Sequence, residues 1–295
     1  MKRSKVILSI FVLLLTIGSF GYYLVTHPET VDQLKNLRFI YVVPLLGLYL
    51  LFTFFLSLAV RASVSLCDKL LDYMESFKLT SSSSLANFFG PLQSGPGVRA
   101  VYLKKKHGIP IKKYGLATLY YYGLYAVFSG LFLLSGNAQW RLPLLVLLVL
   151  GALGVVYVLG LRQKRQKQSM SPHLKAASLI WLAVATFLQI SCTVAIYWVE
   201  LSSIGAHVTL PQVLSYTGAA NLALFVSLTP GAIGFREAFL LFSQNLHHIS
   251  KSDIIAANVF DRAVYILFLG LLFVWLAATH TKKQIDLKKL REVEP

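Results

Sequence analysis

Long apolar runs alternate along the chain with short polar, mostly basic stretches, and the runs set the architecture. Windows of about 20 residues nearly free of charge lie near 6–25, 39–60, 114–135, 142–161, 177–199 and 254–279, and at 1.5 Å rise per residue each can cross a hydrocarbon core of roughly 30 Å. They predict an all-α, polytopic transmembrane bundle with six crossing helices, in a single membrane domain over 1–295. The first run follows "MKRSK" and ends "GSFGYYLVTHPE" without a small-x-small cleavage site. It therefore reads as an uncleaved signal anchor. Between the crossings, 62–80 has apolar residues at near-helical spacing with Asp, Lys and Glu among them, which predicts an interfacial amphipathic helix.

Two stretches break this pattern, "GPLQSGPG" at 90–97 and "SLTPGAIG" at 227–234. Pro removes a backbone donor and clashes with the preceding turn, while Gly lets the chain reverse. The flanking arms are too short or too polar for comfortable crossings and suit two re-entrant hairpins, at about 80–110 and 211–249. Backbone freed at mid-membrane must be buried in protein or line a watery cavity, because lipid offers no hydrogen-bond partner. The stretches are also copies of one another. Pro96-Gly97 follows Asn87 at the spacing at which Pro230-Gly231 follows Asn221. Each copy continues with an Arg (Arg99; Arg236), a short apolar helix, a polar turn containing Ile ("HGIPIKK"; "HHISKSD") and a long apolar run. Counted from the shared Ile, Asp261 and Arg262 correspond to Tyr121 and Tyr122. Three crossings and one broken segment per half, 1–136 and 137–281, predict an inverted repeat, followed by a basic cytoplasmic tail at 282–295.

Composition rules out a soluble globular domain: 56% of residues are apolar, 14% are charged, and the mean hydropathy is +0.64. A formal charge of +16 invites nucleic acid as a partner, but the position of the charges excludes it. Most of the 28 Lys and Arg cluster at the N-terminus, between 61 and 113, at 162–175 and at the tail, all on one side of a bundle with an even number of crossings. The positive-inside rule then places both termini in the cytoplasm of a protein integral to the cell (inner or plasma) membrane, with the basic face against anionic headgroups. No Ser-His-Asp, P-loop or dinucleotide pattern stands out, and His247-His248 lacks metal-ligand spacing. The expectation is no enzyme, no cofactor and no metal.

The broken segments carry the candidate chemistry. Each second arm starts at its Pro-Gly turn, so free N–H groups and the positive end of a helix dipole face the membrane interior, with Arg99 or Arg236 close behind. A helix N-terminus plus a guanidinium suits a phosphate or carboxylate. "NVFDRAVY" sets Asn258, Asp261 or Arg262, and Tyr265 on neighbouring turns of one helix face. Charges deep in the bilayer cost roughly 2.5–3.5 kcal/mol each and need partners. Adjacent residues point in different directions on a helix, so the favoured arrangement is cross-pairing, Arg236 with Asp261 and Glu237 with Arg262. Such pairs are a clamp on the hairpin, a ligand site, or both. The hairpin turns are assigned to Pro96, Gly97, Pro230, Gly231 and Gly234, with Asn87 and Asn221 bracing them or touching ligand. Tyr120, Tyr121, Tyr122 and Tyr125 lie too deep for an interfacial belt and read as packing or cavity lining. Glu200 and His207 are expected at the outer interface.

"SLTPGAIGFREAFLLF" followed by "FDRAVYILFLGLLF" resembles the second signature of the lysylphosphatidylglycerol synthase transmembrane-domain family, and "ANFFGPLQSGPGVRAVYLKKKHGIP" resembles the first. This flippase-like module also occurs in multiple peptide resistance factors and in stand-alone bacterial and archaeal proteins. The resemblance implies a lipid-handling membrane module without a cofactor, with Pro230, Gly231, Gly234, Arg236, Glu237, Asp261 and Arg262 as its matching positions. The first copy departs from the second in carrying Tyr-Tyr where the second has Asp-Arg, and the expectation is a stand-alone member without the aminoacyl-transfer domain of the synthases. The expected function is translocation of an anionic phospholipid or lipid-linked headgroup through a cationic cavity. The alternative is a membrane enzyme or accessory subunit acting on lipid-linked substrates. Membrane lipids are the expected partners, and an envelope-biosynthesis partner or a second copy is left open.

Overall fold

The computed structural model describes residues 39–90, 94–135, 172–226, 232 and 235–293; the expected crossings near 6–25 and 142–161, and Pro230, Gly231 and Gly234, lie outside the described residues. The described elements are all helical. A short 3-10 turn, Phe39–Tyr41, leads into α1 (Val42–Ser65), followed by α2 (Tyr73–Phe89), α3 (Gly95–His107), α4 (Ile111–Ser135), α5 (Pro172–Ser203), α6 (Leu210–Val226), α7 (Phe235–Phe242), α8 (Gln244–His247) and α9 (Lys251–Val293). Four spans among them are long and apolar enough to cross a membrane: Phe39–Ser65, Ile111–Ser135, Ala176–Ser203 and Lys251–Thr279. They coincide with the expected crossings in this part of the chain. Through 282–293 the chain continues α9 as helix.

Local chemistry fixes the element ends. The Asp72 carboxylate accepts from the Met74 N–H at 2.9 Å and caps α2, satisfying one of the orphan donors of the first turn. Ser94 donates its hydroxyl to the Ala86 carbonyl at 2.5 Å, closing the break between α2 and α3. Pro96 occupies the first turn of α3, where its missing N–H costs nothing. The last turn of α3 carries Lys104, Lys105, Lys106 and His107, favourably placed against the negative end of the dipole. Ser250 Oγ accepts from the Asp253 N–H at 3.1 Å at the start of α9.

The expected interfacial helix over 62–80 is not formed. α1 runs on to Ser65, Asp68 turns the chain in a left-handed conformation (φ 63°), and Asp72 starts a new helix. The charges that gave 62–80 its amphipathic pattern belong to this turn and to the base of α2. Arg61 there donates to the Leu71 carbonyl at 2.9 Å and lies over the Tyr73 ring.

The order α2–α3–α4 recurs as α6–α7/α8–α9, and packing follows the same scheme. α1 lies along α5, α2 leans on α9, and α6 leans on α4, so each broken segment rests on the last long helix of the other half. α6 approaches α4 closely because residue 218 is Gly: a Cβ there would fall on the backbone of Ser129 and Leu133. At 1.5 Å per residue, α3 spans about 20 Å and α7 about 12 Å, both short of a full crossing. The outer surface is apolar, with Leu119, Trp181 and Phe273 all about two-thirds exposed, as hydrocarbon-facing helices require.

Candidate functional site

The two broken segments converge on one cavity of about 230 Å³, lined from α1, α2, α3, α4, α5, α6, α7 and α9. Among the residues singled out from sequence, Asn87, Pro96, Arg99, Asn221, Arg236, Asp261, Arg262 and Tyr265 all line it. Gly97, Glu237 and Asn258 do not. Gly97 is exposed on the outer side of α3. Asn258 is buried, its amide donating to the Tyr216 hydroxyl at 2.9 Å and to the Ile254 carbonyl. Its side chain therefore faces α6 and not the cavity.

The cross-pairing expected from helix geometry is present. Arg236 Nη2 on α7 pairs with Asp261 Oδ2 on α9, and Arg262 Nη2 pairs with Glu237 Oε1 at 3.3 Å. Within one helix, Arg236 Nε and Glu237 Oε1 stand 3.9 Å apart, too far for a hydrogen bond. The other Asp261 oxygen accepts from the Tyr49 hydroxyl on α1. One carboxylate thus ties α1, α7 and α9 together. Arg236 Nη1 also donates to the Tyr197 hydroxyl at 3.5 Å, with the guanidinium 5.9 Å from that ring's centroid.

Arg99 is arranged differently. It is 6% exposed and, like Arg236, has an Nε without a hydrogen-bond partner, but no carboxylate among the described residues pairs with it. Tyr121, which corresponds to Asp261 in the repeat, donates its hydroxyl to Gln189 Oε1 at 3.0 Å. Asn87 accepts from the Gly95 N–H at 3.3 Å and so braces the start of α3. Gly95 is needed there, since a Cβ would stand 2.8 Å from the Ser83 carbonyl oxygen. Behind Arg99 lies a void of about 10 Å³ between α1 and α4, near the lower limit for a single water. Asn221 in the other half donates to Thr193 Oγ1 at 3.2 Å.

Glu200 departs from the sequence reading. It is not at an interface but 1% exposed, with the Tyr49 hydroxyl 3.4 Å from its Oε1. α5 continues to Ser203 and turns that face inward, which carries Glu200 into the core, whereas His207 beyond the helix is exposed. Tyr121, Tyr122 and Tyr125 do both things expected of them: they line the cavity and pack, with Phe225 edge-on to Tyr122 at 5.8 Å. Sequence reasoning missed Tyr49 on α1 and the polar face of α5, Gln189, Thr193 and Tyr197. The α5 residues recur about once per helical turn within an apolar run, which is a readable signal. A lone Tyr in α1 offers none.

At the base of α2 and α3, Glu75 accepts from Tyr102 (2.7 Å), Lys106 (2.8 Å) and His107 (2.7 Å). Burial by itself raises the Glu75 pKa, but the hydrogen bonds from Lys106, His107 and Tyr102 outweigh it and hold the carboxyl down at about 2. Among the described residues, no three of His, Cys, Asp and Glu converge in a way that would hold a metal ion.

A family model described as lysylphosphatidylglycerol synthase TM region matches residues 5–272. No curated protein matches the chain.

Proposed function

Because the chain belongs to the lysylphosphatidylglycerol synthase TM-region family, integral membrane proteins of lipid metabolism or translocation, we propose that it is a flippase-like transporter or scramblase for an anionic phospholipid or lipid-linked headgroup. The observation that carries this reading is the polar cavity, with Arg99 and Arg236 in its wall, at the meeting point of two broken segments in an apolar-surfaced bundle. Its volume of about 230 Å³ is below the 300–1,000 Å³ of pockets that engulf drug-sized molecules. A phosphoglycerol-sized headgroup fits, and the acyl chains stay in lipid. The two segments act as re-entrant hairpins, inserted from opposite faces, that let a headgroup pass the midplane without meeting hydrocarbon.

In this reading Arg99 and Arg236 make the cavity wall cationic toward phosphate, Asp261 holds Arg236, and the Glu237–Arg262 pair completes the network. Both termini lie in the cytoplasm, the membrane lipid is the partner, and no covalent chemistry is performed. Reconstitution into liposomes containing labelled phosphatidylglycerol tests this directly. The expected result is headgroup movement faster than in empty vesicles, with lipid masses unchanged. Movement no faster than in empty vesicles, across several lipids and with or without a proton gradient, refutes it. A changed lipid mass assigns the cavity to an enzyme.

A further inference from the structure

Arg99 and Arg236 occupy corresponding places in the two broken segments, and their surroundings differ in one respect that decides what the cavity can hold. Arg236 faces Asp261 and is neutralised within the protein. At the position corresponding to Asp261 the first half has Tyr121, whose hydroxyl is engaged by Gln189. Arg99 is therefore a buried cation without a carboxylate among the described residues; its Nε, like that of Arg236, is unpartnered. It follows the first turn of α3, a 13-residue helix whose opening residues Gly95 and Pro96 line the cavity alongside it. Helix N-terminus and unpaired guanidinium thus face the same space, and both favour an anion.

The cavity has nothing comparable for a cation. Asp261 is the one acidic side chain among the described residues lining it, and both its oxygens are occupied, by Arg236 and Tyr49. Apart from Arg262, which pairs with Glu237, the remaining polar lining is neutral: Ser83, Ser84, Asn87, Gln189, Thr193 and Asn221 with a set of tyrosines. These groups exchange hydrogen bonds with alcohols and offer no counter-charge to an ammonium.

Building on the lipid-translocation reading, we propose that the two halves are functionally unequal. Arg99 and the start of α3 form one phosphate-ester subsite, while the Arg236 half is a self-neutralised support. The lipid accepted carries a single phosphate and a neutral, hydroxylated headgroup. Lipids with an ammonium on the headgroup lack a partner, and lipids with two phosphates find one subsite.

The full-length protein in detergent, examined by native mass spectrometry against defined lipids, tests this. Phosphatidylglycerol is expected to bind at least tenfold more tightly than phosphatidylethanolamine and more tightly per phosphate than cardiolipin. Glycerol phosphate in solution is expected to compete only weakly; competition equal to that of the lipid would assign the subsite to a free phosphate ester and overturn the lipid assignment. Arg99→Gln should weaken phosphatidylglycerol binding roughly ten- to hundredfold, as loss of one charge-assisted pair does. Tyr121→Asp supplies the second half's carboxylate to the first half and should weaken binding comparably, because Arg99 and Tyr121 border the same spaces. Tyr121→Asn opens the same room without the charge and should bind more tightly than Tyr121→Asp.

Equal binding of phosphatidylethanolamine and phosphatidylglycerol, wild-type affinity in Tyr121→Asp, or equal losses in Tyr121→Asn and Tyr121→Asp would each overturn the proposal. If Arg99→Gln does not fold, judged by its melting midpoint without lipid, Tyr121→Asp carries the test. Lipid selectivity that depends on Arg99 without transbilayer movement in liposomes would sink the transport reading and leave the subsite standing. Movement indifferent to Arg99 would do the reverse.

Discussion

Asp261→Asn is the sharpest perturbation of the charge network, because it removes one partner of a pair in which both side chains are nearly fully buried, 9% exposed for Arg236 and 4% for Asp261. Loss of one partner leaves the other charge buried without compensation, which costs about 3–5 kcal/mol. Neutralising both, as in Arg236→Gln/Asp261→Asn, removes the uncompensated charge and should recover most of that loss. At about 2 °C per kcal/mol for a chain of this size, the single variant should melt on the order of 6–10 °C lower and the double variant within a few degrees of wild type. Glu237 and Arg262 are more exposed, 23% and 18%, and stand 3.3 Å apart, so Glu237→Gln should cost only about 1 kcal/mol. Thermal melts in a single detergent, at matched pH and salt, read all four proteins. The reasoning is refuted if Asp261→Asn melts with wild type, if the double variant is no more stable than the single, or if Glu237→Gln is the more damaging change.

The Glu75 cluster should give a pH signature. Its folded pKa of about 2 lies below the ordinary carboxylate value of 4.5, so its contribution to stability is complete above about pH 4.5 and is lost as pH falls toward 2. The melting midpoint of wild type minus that of Glu75→Gln should shrink across that window, by a modest amount because its partner Lys106 is more than half exposed; a constant difference would refute the assignment. Gly218→Val places side-chain atoms on the α4 backbone at Ser129 and Leu133 and should destabilise by about 3 kcal/mol or more, with wild-type stability as the refuting outcome. A charged thiol reagent should label Ser84→Cys, which lines the cavity, and spare Trp181→Cys, 67% exposed on the apolar surface. The native Cys67 and Cys192 are buried free thiols and give a low background; equal labelling of the two variants would show that the cavity is not watery.

How far the sequence could be read depended on whether a residue's neighbours in space were implied by its neighbours in the chain. The crossings in the described part were legible because hydrocarbon requires long uninterrupted apolar runs. Cross-pairing of 236/237 with 261/262 was legible because adjacent side chains on a helix diverge, and four buried charges have few ways to be satisfied. Glu200 was misplaced because distance from the end of an apolar run measures depth and not facing; three further residues of helix turn it inward. The 62–80 stretch misled for a related reason. Its periodicity is helical on both sides of a turn that only the left-handed Asp68 and the capping Asp72 reveal. Tyr49 closes the network on Asp261 across a separation of 212 residues, and nothing local in α1 marks it.

The contrast between the halves bears on why the cavity contains an uncompensated cation at all. A buried guanidinium without a counter-ion is among the costlier things a protein can hold, and the second half demonstrates the remedy: an acid at position 261, paired with Arg236 on α7. The first half has the same helix order and a void bordered by Arg99 and position 121, but a tyrosine stands there. Stability alone favours an acid at that position. Since the backbone arrangement admits one in the other copy, its absence beside Arg99 is best explained by a ligand that brings the negative charge with it. The empty site is then held less stable than it need be, and the arriving phosphate ester supplies the missing counter-ion. Stabilisation by lipid should accordingly be larger for wild type than for Tyr121→Asp, even where the lipid-free variant is the more stable protein.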